Sequence, residues 1–358
     1  MISLETRVTR LLGTRLPVVQ TGMGWVSGAS LTADTSAAGG FGILAGVTLG
    51  RPALREAVAR VRERTDAPFG VNLRPDQPDL DERIDDLVAA GVPLVSFAGP
   101  PTASTIARIH DAGMLVMPTV GAPRHAEKMV AAGVDLMIAQ GAEGGGHTGE
   151  VPTSLLLPAV IEVAEDVPVL AAGGFHDGRG LASALACGAD GIAMGTRFLL
   201  TRESRVPEAV KQRYLAAAIG DTIVTRALDG APQRVIRTPF VDRLGRRDPV
   251  RRALASVSAA RDFRRLSGDN WSELIREGWR MRRNQDRSWV QVALAANTPM
   301  LIRAALVAGD TGAGVLPSGQ VVGYITDVPT VAELLEAIER QAITALEHLD
   351  HEITTHGG

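Results

Sequence analysis

Up to about residue 200 the chain alternates two kinds of segment. Short runs, apolar at almost every position, occupy 17–24, 41–46, 69–73, 94–99, 115–120, 135–141, 168–174 and 191–199. Between them lie longer stretches whose apolar positions recur at helical spacing. A continuous apolar run of this length marks a strand buried on both faces, as in a parallel sheet covered by helices. Four of the intervening stretches end in a small residue followed by glycine: Ala90-Gly91, Ala112-Gly113, Ala132-Gly133 and Cys187-Gly188. Glycine there supplies the left-handed turn that stops a helix. Gly91, Gly113 and Gly133 are spaced by 22 and 20 residues, one strand–helix unit per step. Eight such units predict an α/β fold, a (β/α)8 TIM barrel. A doubly wound open sheet is the competing arrangement.

Beyond Leu200 the pattern changes. Residues 234–287 hold 15 arginines against seven Asp and Glu, a local net of +8, together with Trp271 and Trp279. This predicts a helical, Arg-rich insertion after the eighth strand, a lobe over one end of the barrel. The apolar stretch 289–309 is expected to return the chain to the barrel as its last helix. A turn-rich piece at 311–323 and an amphipathic C-terminal helix near 331–349 follow. The expected domains are a barrel at 1–220, a helical substrate lobe at 221–295, and a return and C-terminal helix at 296–358.

Composition narrows the function classes. The chain of 358 residues has a net charge of −3, without the basic excess of a nucleic-acid binder. A single cysteine, Cys187, excludes an internal disulfide framework and a multi-cysteine zinc site. Residues 1–12 interrupt apolar positions with Glu5, Arg7 and Arg10, so no signal-peptide core is present. No run of 18 apolar residues offers a membrane span. A cytoplasmic location is expected, with no membrane partner.

Active sites of such barrels lie at the C-terminal ends of the strands, with phosphate commonly held after the seventh and eighth. Here the seventh run ends Ala171-Ala172-Gly173-Gly174 and the eighth passes through Ala193-Met194-Gly195-Thr196. Glycines there let backbone N–H groups approach phosphate oxygens, and Thr196 adds a hydroxyl. One glycine pair would be explained by a tight turn; two pairs at these two strands favour a phosphate. The sixth run leads into a glycine-rich loop, Gln140 to Gly149, that carries His147, an imidazole able to give or take a proton. Gly22 and Met23 follow the first run, and Asn72 closes the third. His176, after the seventh-strand glycines, is a lesser candidate to line the pocket. Gly22 to Gly28 is one residue too long for a dinucleotide fingerprint, and no acid ends the second run. No phosphate-binding Gly-Lys loop and no His-Glu-x-x-His helix occurs, so no metal is expected. Cys187 falls in a helix rather than a strand-end loop, which argues against a cysteine nucleophile.

The segments QTGMGW (20–25), AGGFGIL (38–44), FGVN (69–72), AQGAEGGGHTG (139–149), AAGGFHDGRG (171–180) and MGTRFL (194–199) together resemble the nitronate monooxygenase (2-nitropropane dioxygenase) family. These are FMN-dependent barrels that include the flavin-type enoyl thioester reductases. The resemblance implies that Gly22, Met23, Asn72, Gln140, Gly145, Gly173, Gly174, Gly195 and Thr196 hold FMN and that His147 is the catalytic base. RFLLTRES (197–204), VKQRYL (210–215), AANTPML (295–301) and SGQVVG (318–323) extend the likeness to the branch that serves actinobacterial steroid C/D-ring degradation. That branch implies dehydrogenation of a bicyclic CoA thioester. Oxidation of alkyl nitronates with oxygen, enoyl-thioester reduction, and a barrel that merely binds a phosphate ligand remain the alternatives. In the Arg-rich lobe, Arg280, Arg282 and Arg283, with Arg276 and Arg287, are candidates for the phosphates of coenzyme A. Equally, they suit the solvated face of a helix whose other face carries Trp271, Ile275 and Trp279. A homodimer is also open.

Overall fold

The computed structural model describes residues 2–246, 289–312 and 314–356. Eight parallel strands close a barrel: β1 (Val18–Gln20), β2 (Phe41–Ala45), β3 (Phe69–Leu73), β4 (Leu94–Phe97), β5 (Leu115–Val120), β6 (Met137–Gln140), β8 (Val169–Ala172) and β9 (Gly191–Met194). β9 pairs back onto β1, Val19 opposite Ala193, which makes a ring and removes the open-sheet alternative. Every residue of β2, β3, β4, β8 and β9 is buried, as their nearly continuous apolar character requires, the buried polar exceptions being Asn72 and Ser96. Val19, Phe41, Ile43, Leu94, Met117, Ile138, Leu170 and Ala193 belong to one cluster. Their strand neighbours Val18, Leu44, Val71, Val95 and Val116 join the larger one shared with the helices. That alternation is the inside–outside pattern of a filled barrel.

The helix α1 (Arg7–Leu12) closes the end opposite the site. Its Val8 and Leu12 share the cluster of the barrel residues, and Arg7 Nε donates to Asp190 Oδ1 at 2.7 Å, just before β9 begins. The outer ring is α2 (Ala29–Ala37), α3 (Arg51–Arg62), α4 (Leu80–Ala89), α5 (Ala103–Asp111), α6 (Pro123–Ala131), α7 (Thr153–Ala164) and α8 (Gly178–Ala186). The glycines expected to stop four of these helices, Gly91, Gly113, Gly133 and Gly188, all have positive φ. The eighth run is strand only to Met194; Gly195 ends it, and Thr196–Leu199 form the short helix α9. α10 (Glu208–Leu215) follows.

Two expectations about the later segments are corrected. Residues 222–236 are not helical but a hairpin, β10 (Thr222–Thr225) and β11 (Gln233–Ile236), and β11 adds the two-residue strand β7 (Gly146–His147) on its other side. The hairpin runs on into α11 (Pro239–Arg246). The place of the last barrel helix is taken by α13 (Val331–His356), not by 289–309. α13 buries Val331, Leu334, Leu335, Ile338 and Ala342 at helical spacing. It lies so close to α8 that a Cβ on Gly178 would sit 2.2 Å from the Ile338 carbonyl oxygen. Gly178 N also donates to Gln341 Oε1 at 3.0 Å, and Glu339 pairs with Arg15. The 289–309 stretch instead contains α12 (Trp289–Leu306), whose Leu301 and Ile302 pack with Leu228, Val235, Val241 and Val315 above the barrel. Arg276, Arg280, Arg282, Arg283, Arg287, Trp271 and Trp279 lie outside the described residues.

A methyl group at position 178 would meet the Ile338 carbonyl oxygen, the Ala342 nitrogen and the Gln341 Cβ, none of which is the far end of a flexible side chain. Gly178→Ala is therefore expected to cost about 1–3 kcal/mol, the range for overpacking a tight contact. Urea unfolding should show the midpoint falling with an unchanged slope.

Candidate active site

The residues expected to form the site meet in one arc around the C-terminal mouth of the barrel. Gly22 lies against Asn72, where a Cβ would come within 2.3 Å of the Asn72 Cβ. Asn72 itself is buried, its amide donating to the Ser96 carbonyl at 3.2 Å. Met23 reaches across to β9, its sulfur 3.3 Å from where a Cβ on Gly195 would stand. Thr196 Oγ1 accepts from Gly319 N at 2.9 Å. Gly319 in turn rests on Gly145, where a Cβ would be 2.5 Å from the Gly319 nitrogen. Gln140 completes the arc under the glycine loop, donating to the His147 carbonyl at 2.8 Å.

Gly173 and Gly174 follow β8 with φ of +99° and +87°, a region that a Cβ makes costly. Gly173 packs against Thr153, where an added Cβ would stand 2.9 Å from the hydroxyl oxygen. The backbone N–H groups of Gly174 and Gly195 make no hydrogen bond among the described residues. Space beside Gly174 is open: the nearest atom to an added Cβ is the Glu143 Cβ at 3.9 Å. Because Thr196 Oγ1 accepts from Gly319, its own hydroxyl proton stays available. Two unpaired N–H groups on neighbouring strand ends with a hydroxyl donor suit an anion such as a phosphate. The donor set and the open space beside Gly174 thus fit the group that the resemblance implies.

His147 stands at the end of this loop with a side chain 64% exposed, so a substrate can reach it. Its backbone is held by pairing with Gln233 of β11. Its Nε2 is 2.7 Å from Oδ2 of Asp229, a carboxylate only 8% exposed in the turn between β10 and β11. Gln233 Nε2 donates to the same oxygen at 2.7 Å, and Ala231 N donates to Oδ1 at 3.0 Å. Burial would push the Asp229 carboxyl up; the bonds from His147, Ala231 and Gln233 outweigh it and hold the group below the ordinary range. Glu143 has a different task. Its carboxylate accepts from Thr153 Oγ1 at 2.7 Å, and its carbonyl accepts from Gln320 N at 2.9 Å, tying the loop to α7 and to the 318–323 segment.

All nine residues expected to hold a cofactor are thus gathered, with His147 beside them. Arg280, Arg282 and Arg283 lie outside the described residues. His176 stacks on Tyr324 with ring centroids 5.6 Å apart, and burial lowers its pKa. The sequence reading missed Asp229 and Gln233. The segment Leu228-Asp229-Gly230-Ala231-Pro232 reads simply as a turn, and its Asp–Ala231 bond is indeed a turn contact. Ser318 and Gly319 stand within the SGQVVG segment, but no spacing rule places them on Gly145. Among the described residues no cluster suited to a metal ion occurs, and no helix is long and apolar enough to cross a membrane.

Known proteins resemble the chain along nearly its whole length. The (3aS,4S,5R,7aS)-5-hydroxy-7a-methyl-1-oxo-octahydro-1H-indene-4-carboxyl-CoA dehydrogenase of Rhodococcus jostii is 50% identical over 349 residues, 98% of this chain and 99% of that protein. The protein of the same name from Mycobacterium tuberculosis is 51% identical over 346 residues, 96% of this chain and 98% of that one. Among solved structures, FabK from Thermotoga maritima superimposes with a TM-score of 0.80 at 33% identity, covering 98% of this chain and 99% of its own. The family model described as nitronate monooxygenase matches residues 5–88 and 80–341, which take in the barrel and the segments that fold over its mouth. The chain belongs to the nitronate monooxygenase family.

Proposed function

We propose that this chain is an FMN-dependent dehydrogenase of a bicyclic CoA thioester. The observation that carries the reading is His147, exposed and held by a buried carboxylate, at the rim of a glycine cradle with unpaired N–H donors. Family membership implies a flavin. FMN in particular suits the cradle, because its single phosphate needs the kind of donors that Gly174, Gly195 and Thr196 offer. Met23 and Gly22 would then flank the ring system, with Asn72, Gln140, Gly145 and Gly173 shaping the walls. When bound, the flavin supplies the hydride acceptor that dehydrogenation requires. His147 removes the proton alpha to the thioester carbonyl, which the carbonyl makes acidic. The thioester substrate is supported by the two relatives of half identity, both named as dehydrogenases of an indene-carboxyl-CoA. The +8 stretch that contains Arg280, Arg282 and Arg283 is the proposed partner of the coenzyme A phosphates, on charge alone.

Two measurements test the reading. Purified protein should show flavin absorbance near roughly 370 and 450 nm, before or after addition of FMN. A parallel assay should then show turnover of a bicyclic CoA ester and little of an alkyl nitronate. Fast nitronate turnover without reaction of any CoA ester would favour the activity after which the family is named. A preparation that stays colourless with FMN would remove the flavin reading altogether.

A further inference from the structure

Asp229 belongs to none of the segments from which the site was read, yet its buried carboxylate receives three hydrogen bonds, one of them from His147. We propose that Asp229 is a positioning residue that fixes His147 in its proton-accepting form. The proposal rests on the reading of His147 as the base.

The argument is one of donors and acceptors. An ionised carboxylate only accepts. The proton in the 2.7 Å contact between His147 and Asp229 therefore sits on the imidazole Nε2. A neutral imidazole carries one proton, so Nδ1 keeps its lone pair, and it meets no partner among the described residues. Gln233 Nε2 lies 3.3 Å from His147 Nε2. Both are donors aimed at Asp229 Oδ2, so this is a meeting of neighbours rather than a bond. On the far side, Ala231 N–H donates to Oδ1 and prevents the carboxylate from rotating away. When His147 takes a proton, the positive ring faces a carboxylate already in place, with no reorganisation needed.

A purely structural role makes the opposite forecast. If Asp229 serves only to shape its turn, Asp229→Asn keeps the Oδ1 bond to Ala231 N and is the mild replacement, whereas Asp229→Ala loses every contact. Under the proposal asparagine is the worse one. With Oδ1 kept on Ala231 N–H and the Gln233 amide turned so that its own oxygen accepts, the introduced NH2 faces His147 Nε2. The ring must then accept at Nε2 and carry its proton on Nδ1, where the base is needed. Alanine leaves the two tautomers free to interchange.

The experiment compares wild type, Asp229→Asn, Asp229→Ala and His147→Ala as flavin-loaded full chains with a CoA thioester. Nitrogen-15 NMR of the imidazole reports the tautomer independently of turnover. The expected result is a loss of about 10²–10⁴-fold in kcat for Asp229→Asn, larger than that for Asp229→Ala. KM and flavin content should change less than about threefold, and the ring proton should move from Nε2 to Nδ1 in Asp229→Asn. Asparagine retaining more kcat than alanine, or keeping the proton on Nε2, overturns the proposal. If Asp229→Ala does not fold, the NMR result on Asp229→Asn decides alone. The His147→Ala control separates two failures. An active His147→Ala removes the base reading itself, whereas a dead His147→Ala beside an active Asp229→Asn overturns only the role of Asp229.

Discussion

His147→Ala should lose about 10²–10⁴-fold in kcat while keeping its flavin and its fold, the range that a positioned general base contributes. The side chain is 64% exposed, so its removal opens no cavity. The backbone of residue 147 stays anchored, because Gln140 Nε2 holds its carbonyl at 2.8 Å and its neighbours pair with β11. Substrate affinity should change little, since the imidazole acts on one proton rather than on the bulk of the ligand. Steady-state kinetics with a flavin-to-protein ratio from absorbance check this. A His147→Ala enzyme that turns over within about tenfold of wild type would place the base elsewhere. In that case the glycine loop would serve only to shape the pocket.

Gly145→Ala should reduce flavin affinity by about 100-fold, equivalent to about 3 kcal/mol, an overpacking cost within the usual range. Its Cβ would stand 2.5 Å from both the Gly319 nitrogen and the Ser318 carbonyl carbon, which are backbone atoms. They are not free to retreat. Gly319 N is bonded to Thr196 Oγ1 at 2.9 Å and Gln320 N to the Glu143 carbonyl at 2.9 Å. Relief must come from separating the 318–320 segment from the loop, which pulls Thr196 out of the cradle. The neighbouring Gly146 is the internal control. It has φ +69° but nothing within 4 Å of an added Cβ, so Gly146→Ala costs only backbone strain of about 1 kcal/mol. A fluorescence titration of flavin against both variants distinguishes the two cases. Equal losses would mean that conformation, not the packing of residues 318–319, governs the loop.

The eight barrel strands were legible in the chain because burial on both faces demands nearly continuous apolar runs, a local property that needs no knowledge of neighbours. The four helix stops were legible for the same reason, since a left-handed turn is a requirement of one residue. The glycine loop with His147 and the two glycine pairs could be placed at the mouth because strand direction alone puts strand ends there. Tertiary structure decided what depends on two distant segments fitting each other. Ring closure rests on β9 meeting β1, with Gln20 opposite Met194, near the two ends of the barrel's sequence. The last barrel helix is α13 and not the more apolar 289–309 stretch, because the slot beside α2 and α8 is set by close approach at Gly40 and Gly178. Apolar content ranks candidates for burial but does not encode shape. Asp229 reached His147 across 82 residues through a hairpin that the sequence offered as part of a helical lobe. Its own neighbourhood asks only for a turn, so nothing local distinguishes a carboxylate that shapes a turn from one that also holds a base.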